Sequence, residues 1–402
     1  MGQGDSSPAR RRLKRISLGF LVLIVVLLGG SSLSNLFFPS QSDVVDRLSD
    51  LDKARVVEAF HLREAFGDSL WAGWGGARIP VVIYNESYAF LVGCDSPSDG
   101  WSTIPRNVRH GSAWEIVPGE TLNGSQYYRQ RLPGDGTTPQ AFTVRVGNLC
   151  AASMTTKEWT AIGMGNEMRD GLPSFLRPFV PYRLAARIFL GLAMNTDVYI
   201  CAIAHESFHA FQGIVAADRL ADAEISLAVN SDRYPWDDSS FVAGWKAELN
   251  VLADALSEND DMHAIELAQK FISLRKERRV RSGIDSDLVN LERLREWEEG
   301  LGKYTELALW KRAAADSAYV PAVAGDSDFR KYKGFSGQWA QELSTLRMQS
   351  DAGETRFYYS GMAQAFLLDR VNPGWRTRIL GENVFLEDLL GKAVGAGRAM
   401  GS

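Results

Sequence analysis

The stretch CAIAHESFHAFQ, residues 201–212, places two of the chain's five histidines four residues apart, with a glutamate directly after the first. Asn195, Thr196 and Asp197 upstream are all good helix N-caps. The run VYICAIAHESFHAFQGIVAA after them predicts a long helix, apolar around most of its circumference and therefore buried. On such a helix His205 and His209 share one face, so both imidazoles can reach a single metal ion. Glu206, about 100° further round, is poorly placed as a third ligand but suited to hold a water at the metal and take its proton. A glutamate and two histidines inside an apolar helix are costly unless something pairs with them. The metal reading meets that cost, and a buried polar network of the same three residues is the alternative. Tetrahedral zinc needs a third protein ligand and an open fourth position. A third histidine six residues after the second is absent, because position 215 is Val215. Cys201, one turn before His205, reads as a core thiol, since a third ligand from the same helix would be strained. A glutamate on a second helix is then the expected supply.

The segment LREWEEGLGKYTEL, residues 294–307, meets that requirement. On a simple helical wheel Leu291, Leu294 and Leu301 form the apolar stripe, and Glu298 lies nearer to it than Glu299. HESFH followed at a distance by WEEGLGKYTE resembles the gluzincin metallopeptidases, especially their aminopeptidase-like members. The resemblance implies a zincin-like catalytic part, a Zn2+ cofactor and peptide substrates. It also implies Glu299 as the third ligand, supported by Glu306 on the same helix face, with Tyr304 matching a further position of the pattern. Gly300 and Gly302 are poor helix residues, and a close approach to the metal helix would explain them. RFYYSGMAQAFLLDRV, residues 356–371, resembles the Tyr-x-x-Gly helix start that supplies an oxyanion-stabilising tyrosine in those enzymes. That implies Tyr358 in this role, with Tyr359 in reserve and an aromatic packing pair as the plain alternative. The glycine-rich motif ending in Glu-Asn, which holds the substrate amine in aminopeptidases, has no match. GMGNE at residues 163–167 has the letters in another order.

The elements that must carry these residues fall into two textures. SDVVDRLSDLDKARVVEAFHLREAFGD reads as one or two amphipathic helices ending near Gly67, followed by the turn WAGWGGA. From Ile79 to Cys150 short runs rich in β-branched and aromatic residues (IPVVIYN, YAFLVG, YYRQRL, AFTVRVG) alternate with turn residues, which predicts a sheet. From about Lys157 helical periodicity takes over, with segments at 182–194, 196–217, 240–256, 261–280, 285–310, 336–347 and 356–370. The expected class is α+β, with a helix-plus-sheet part over 39–152 and an α-helical catalytic part over 153–402.

Residues 1–15 carry five basic side chains and one acid, and residues 16–38 carry no charge. At 1.5 Å per residue the uncharged run reaches roughly 34 Å, enough to cross a hydrocarbon core of about 30 Å. The basic tail stays cytoplasmic, so residues 39–402 are expected outside, on a single-pass anchor. A cleaved signal peptide is the rival, for Leu18 to Leu28 has the length of an h-region, but no A-x-A-like site follows. Of three cysteines, Cys94 and Cys150 are the plausible disulfide pair outside the cytoplasm, against three buried thiols. The sequons at Asn85 and Asn123 matter only in a host that glycosylates. A net charge of −5 argues against nucleic acid as a partner. The densest basic run, RKERRVR at 275–281, reads as a solvated helix face. The expectation is a membrane-anchored zinc hydrolase acting on peptides, against a zincin-like envelope binding or scaffold protein without turnover.

Overall fold

The computed structural model describes residues 28–140, 143–323 and 325–400. The basic tail and residues 16–27 of the expected membrane span lie outside the described residues. Among those described, no single helix is long and apolar enough to cross a membrane. The class is α+β, as expected: a curled seven-stranded sheet and a larger set of helices.

The chain forms two compact units, one of residues up to Val45 with Thr156–Asn195, the other of Asp46–Thr155 with Thr196 onward. The first contains α1 (residues 28–37), α3 (Lys157–Gly171) and α4 (Tyr182–Ala193). Thr156 caps α3 through Trp159 N–H, and Gly165 faces α4 at ordinary contact distance, 3.6 Å from its Cβ position to Arg183 Cα.

The second unit opens with α2 (Asp50–Leu70), capped by Ser49, and then the sheet. Its strands are β1 (Val81–Tyr84), β2 (Tyr88–Val92), β3 (Ser102–Thr103), β4 (Glu115–Ile116), β5 (Tyr128–Arg131), β6 (Val144–Val146) and β7 (Leu149–Thr155). They lie in the order β3-β6-β7-β1-β2-β5-β4. The β1–β7 pair is parallel and the others are antiparallel. Strand alternation sends Val82, Tyr84, Ala89 and Leu91 to one face, where they pack with Trp101, Trp114 and Val144. Val81, Ile83, Phe90 and Val92, also buried, are left for the other. The sequence runs locate β1, β2, β5 and β6, but not β7, whose residues LCAASMT include only one β-branched side chain, Thr155. All three cysteines are buried free thiols, so the expected Cys94–Cys150 bond is not formed. Cys94 packs instead in the apolar cluster on one sheet face, and Cys150 lies 3.2 Å from where a Cβ on Gly213 would fall.

The helices that follow are α5 (Thr196–Val215), α6 (Ala217–Asn230), α7 (Ser239–Ser257), α8 (Asp261–Arg281), α9 (Ser286–Arg295), α10 (Leu301–Ala315), α11 (Phe335–Leu346), α12 (Thr355–Val371), α13 (Arg376–Ile379) and α14 (Leu386–Met400). A π-helical turn, Glu296–Gly300, joins α9 to α10. Behind α5, Phe208 packs against Trp71 and Trp74 of the WAGWGGA turn, with ring centres 4.8 and 5.8 Å apart. Trp71 Nε1 donates to Thr305 Oγ1 on α10 at 2.8 Å, tying the turn to both helices.

The basic run on α8 departs from its expected solvated face. Arg275 and Arg278 are 2% and 0% exposed. Arg275 forks onto Glu296 at 2.6 and 2.8 Å and reaches Glu248 at 3.0 Å. Arg278 binds Glu248 and Glu292. Carboxylates from α7, α9 and the π turn supply the counter-charges that burial demands. A one-dimensional charge count cannot see them.

Candidate metal centre

Helix α5 is anchored at its start by Asp197, whose carboxylate accepts from the backbone N–H groups of Arg330 and Tyr332. Tyr199 adds a bond to β7, its hydroxyl donating to Thr155 O at 2.6 Å. One turn apart on this buried helix, His205 and His209 have ring centres 4.7 Å apart. Glu299 comes to them from the π turn. Its Oε2 lies 3.5 Å from His205 Nε2 and 3.3 Å from His209 Nε2, and the candidate ligand atoms of the three residues lie within 4.8 Å of one another.

The remaining nitrogens fix which atoms face the centre. Gln212 Nε2 donates to Trp297 O at 3.0 Å, so its Oε1 must be the atom that faces His209 Nδ1 at 2.8 Å. Nδ1 of His209 therefore carries the proton and Nε2 presents a lone pair. Nδ1 of His205 likewise donates to Glu306 Oε2 at 3.0 Å, and Lys303 holds the other Glu306 oxygen. Two lone pairs and a carboxylate oxygen thus converge from buried side chains. Burial lowers the His205 pKa, but hydrogen bonds to Glu299 and Glu306 outweigh it and bring it up to about 10. Burial pushes the Glu299 carboxyl up, yet His209, Arg295 and the bonds from both imidazoles hold it well below the usual range. A His2Glu donor set, with each histidine oriented by a second group, fits zinc.

Glu298 points elsewhere. It accepts from Arg295 Nη1 at 2.6 Å, while Arg295 Nη2 holds Glu299 Oε1 at 2.8 Å and leaves Oε2 for the histidines. Burial raises the Glu298 carboxyl well above its ordinary pKa. The helical wheel placed Glu298 nearer the apolar stripe because it assumes uniform α turns. The π turn inserts one extra residue and rotates Glu299 to the α5 side.

The centre opens into a cavity of 310 Å³, with Met154, Ala202, Lys303, Thr355 and Tyr359 in its wall. Glu206 lines it, and its shielded Oε2 has no hydrogen-bond partner among the described residues. Burial raises the Glu206 pKa, and the two neighbouring imidazoles only partly offset this. Tyr358 stacks over the His205 ring at 6.1 Å and 22°. Its phenol is raised well above the ordinary value by burial first and then by Glu299. Tyr359 also lines the cavity, with Lys303 Nζ 5.5 Å from its ring centre. Tyr304 lies outside the cavity wall, bonded to Asp369 and Arg376. GMGNE falls inside helix α3 of the first unit.

Gln212 and Arg295 were not legible as site residues. Gln212 did carry one signal, its place three positions after His209 on the same helix face. No protein-family model, no curated protein and no solved structure matches this chain.

Proposed function

We propose that the chain is a membrane-anchored, zinc-dependent hydrolase of gluzincin type, acting on peptides outside the cytoplasm. The observation that carries this reading is the convergence of His205 Nε2, His209 Nε2 and Glu299 Oε2 beside a cavity that also holds an unpartnered glutamate. His205, His209 and Glu299 would hold the ion. Zinc bound there supplies Lewis acidity to a water and to a carbonyl oxygen.

The chain's own groups do the remaining work. Glu206 Oε2 accepts the proton of the attacking water and delivers it to the leaving amine, and burial, which raises its pKa, strengthens it as a base. The Tyr358 hydroxyl, carried on a ring stacked with that of His205 and lining the same cavity, donates to the oxygen on which negative charge develops. Arg295 and Glu306 keep Glu299 and His205 in position.

The test is Glu206→Gln. It removes the proton acceptor and leaves all three proposed ligands, so peptide turnover should fall by about 10²-fold or more while zinc content stays at the wild-type level. Full turnover in that variant would refute the mechanism.

A further inference from the structure

In the first unit, helix α1 is polar on its inner face and apolar on its outer one. In α1 the residues turned inward are Ser31 and Asn35, one turn apart. Ser31 Oγ donates to Phe179 O at 2.9 Å, and Asn35 Nδ2 donates to Val180 O at 3.0 Å. Arg183 Nη1 returns bonds to the carbonyls of Asn35 and Phe38 at 2.6 and 3.0 Å. The outward residues of the same helix are Leu33, Leu36 and Phe37, the last two 80% and 83% exposed. Helix α4 adds a second exposed apolar surface. Ala186 and Leu190 are buried, while Ile188, Phe189 and Leu192 form an exposed stripe on another face, with Leu192 80% exposed. Phe175, in the turn before α4, is 70% exposed.

In water such a surface is unfavourable. Each large apolar side chain left outside forgoes the gain of burial, and soluble surfaces scatter such residues singly. Against hydrocarbon the preference reverses, because carbonyls and polar side chains must be satisfied internally while leucine and phenylalanine face lipid. The position of the unit in the chain names the same surroundings. Helix α1 is the carboxy-terminal end of the uncharged run 16–38, and its polar face is bonded to the turn that leads into α4. Exposed Arg187 lies with its guanidinium 5.3 Å from the Phe38 ring centre, which puts a cation at the edge of the apolar surface, where lipid phosphates lie.

We propose that the first unit is a bilayer-seated platform: α1, the Phe175 turn and the outer stripe of α4 lie in the headgroup and upper acyl region of the membrane that the run 16–38 enters. This rests on the membrane-anchored part of the proposed function: α1 is the outer end of the single tether, and the Phe175 turn and the stripe of α4 add a second attachment beside it.

The test uses the full chain in phosphatidylcholine vesicles, with a fluorophore on single introduced cysteines. Leu192→Cys and Phe175→Cys report the platform, Leu23→Cys reports the uncharged run, and Lys246→Cys on α7 reports water. The native thiols are buried. Quenching by brominated acyl chains is compared with quenching by iodide. The proposal expects positions 192 and 175 to follow position 23, quenched by bromolipid and shielded from iodide. If they follow position 246 while position 23 is quenched by lipid, the platform is refuted and the anchor stands. If position 23 is itself open to iodide, the anchor falls and the platform with it. Shielding of 192 and 175 from both quenchers would mean that protein covers this face, a second copy for example, and would also overturn the proposal.

Discussion

At the scale of single residues, what distinguishes this site is that every proposed ligand atom is aimed by another group. Gln212 and Glu306 set the tautomers of His209 and His205, and Arg295 occupies Glu299 Oε1 so that Oε2 alone faces the imidazoles. Glu298, one residue away, is equally buried but shares only the arginine. The account therefore predicts that Glu299→Ala weakens zinc binding by more than the 10–100-fold typical of a supporting residue, and that Glu298→Ala changes it far less. Competition titration against a chromogenic chelator gives both affinities, and the opposite order would reassign the ligand.

At the scale of elements, two glycines set the distance between helices. A Cβ on Gly302 would lie 2.6 Å from His205 Nε2, in the space where the ligand atoms converge, and one on Gly300 would lie 2.5 Å from Gly361 Cα on α12. The first contact is with a ligand atom and the second is with backbone, so their consequences differ. Gly302→Ala is expected to lose most zinc affinity with little change in the metal-free melting temperature. Gly300→Ala is expected to unfold more easily, by about 1–3 kcal/mol, because the helices must separate. Calorimetry of both metal-free proteins separates the cases, and equal destabilisation would count against a site role for Gly302. The spacing of HESFH, its own helix, and the helices α4 before it and α7 after it were legible from periodicity, and so was close packing at both glycines. The π turn was not, because a wheel drawn at constant pitch accumulates no local insertion. Strand β7 was missed because most of its residues are small and only Thr155 is β-branched. Helix α6 was missed although its buried Leu220 and Ala223 stand at helical spacing.

At the scale of the whole molecule, the site rests on a buried charge cluster. Arg275 ties Glu296, the first residue of the π turn, to Glu248 on α7, Ser360 on α12 and Glu387 on α14. Arg279 and Arg293 also hold Glu387. Burial raises the Glu387 pKa, and the three arginines outweigh it and bring it down to about 2 from an ordinary 4.5. A depressed carboxylate contributes stability that is fully present above the unfolded value and is lost as pH falls through the folded one. The window is thus pH 4.5 to about 2, and the loss is on the order of 3 kcal/mol from this group. Denaturant titrations across that window should show the decline, with a shallower slope in Glu387→Gln. An unchanged slope would remove Glu387 from the account. The α+β class and the change from strand to helix texture near residue 155 could be read from the sequence, but this cluster could not. Its arginines looked like a solvated face because their partners come from α7, α9, α14 and the π turn. The central claim is a zinc ion held by His205, His209 and Glu299, and metal content tests it most directly. Elemental analysis of the purified full chain, dialysed against a weak chelator, should find one zinc per chain, lost in His205→Ala. No zinc in the wild type, with none taken up on reconstitution, would contradict the account and leave HESFH as part of a structural helix.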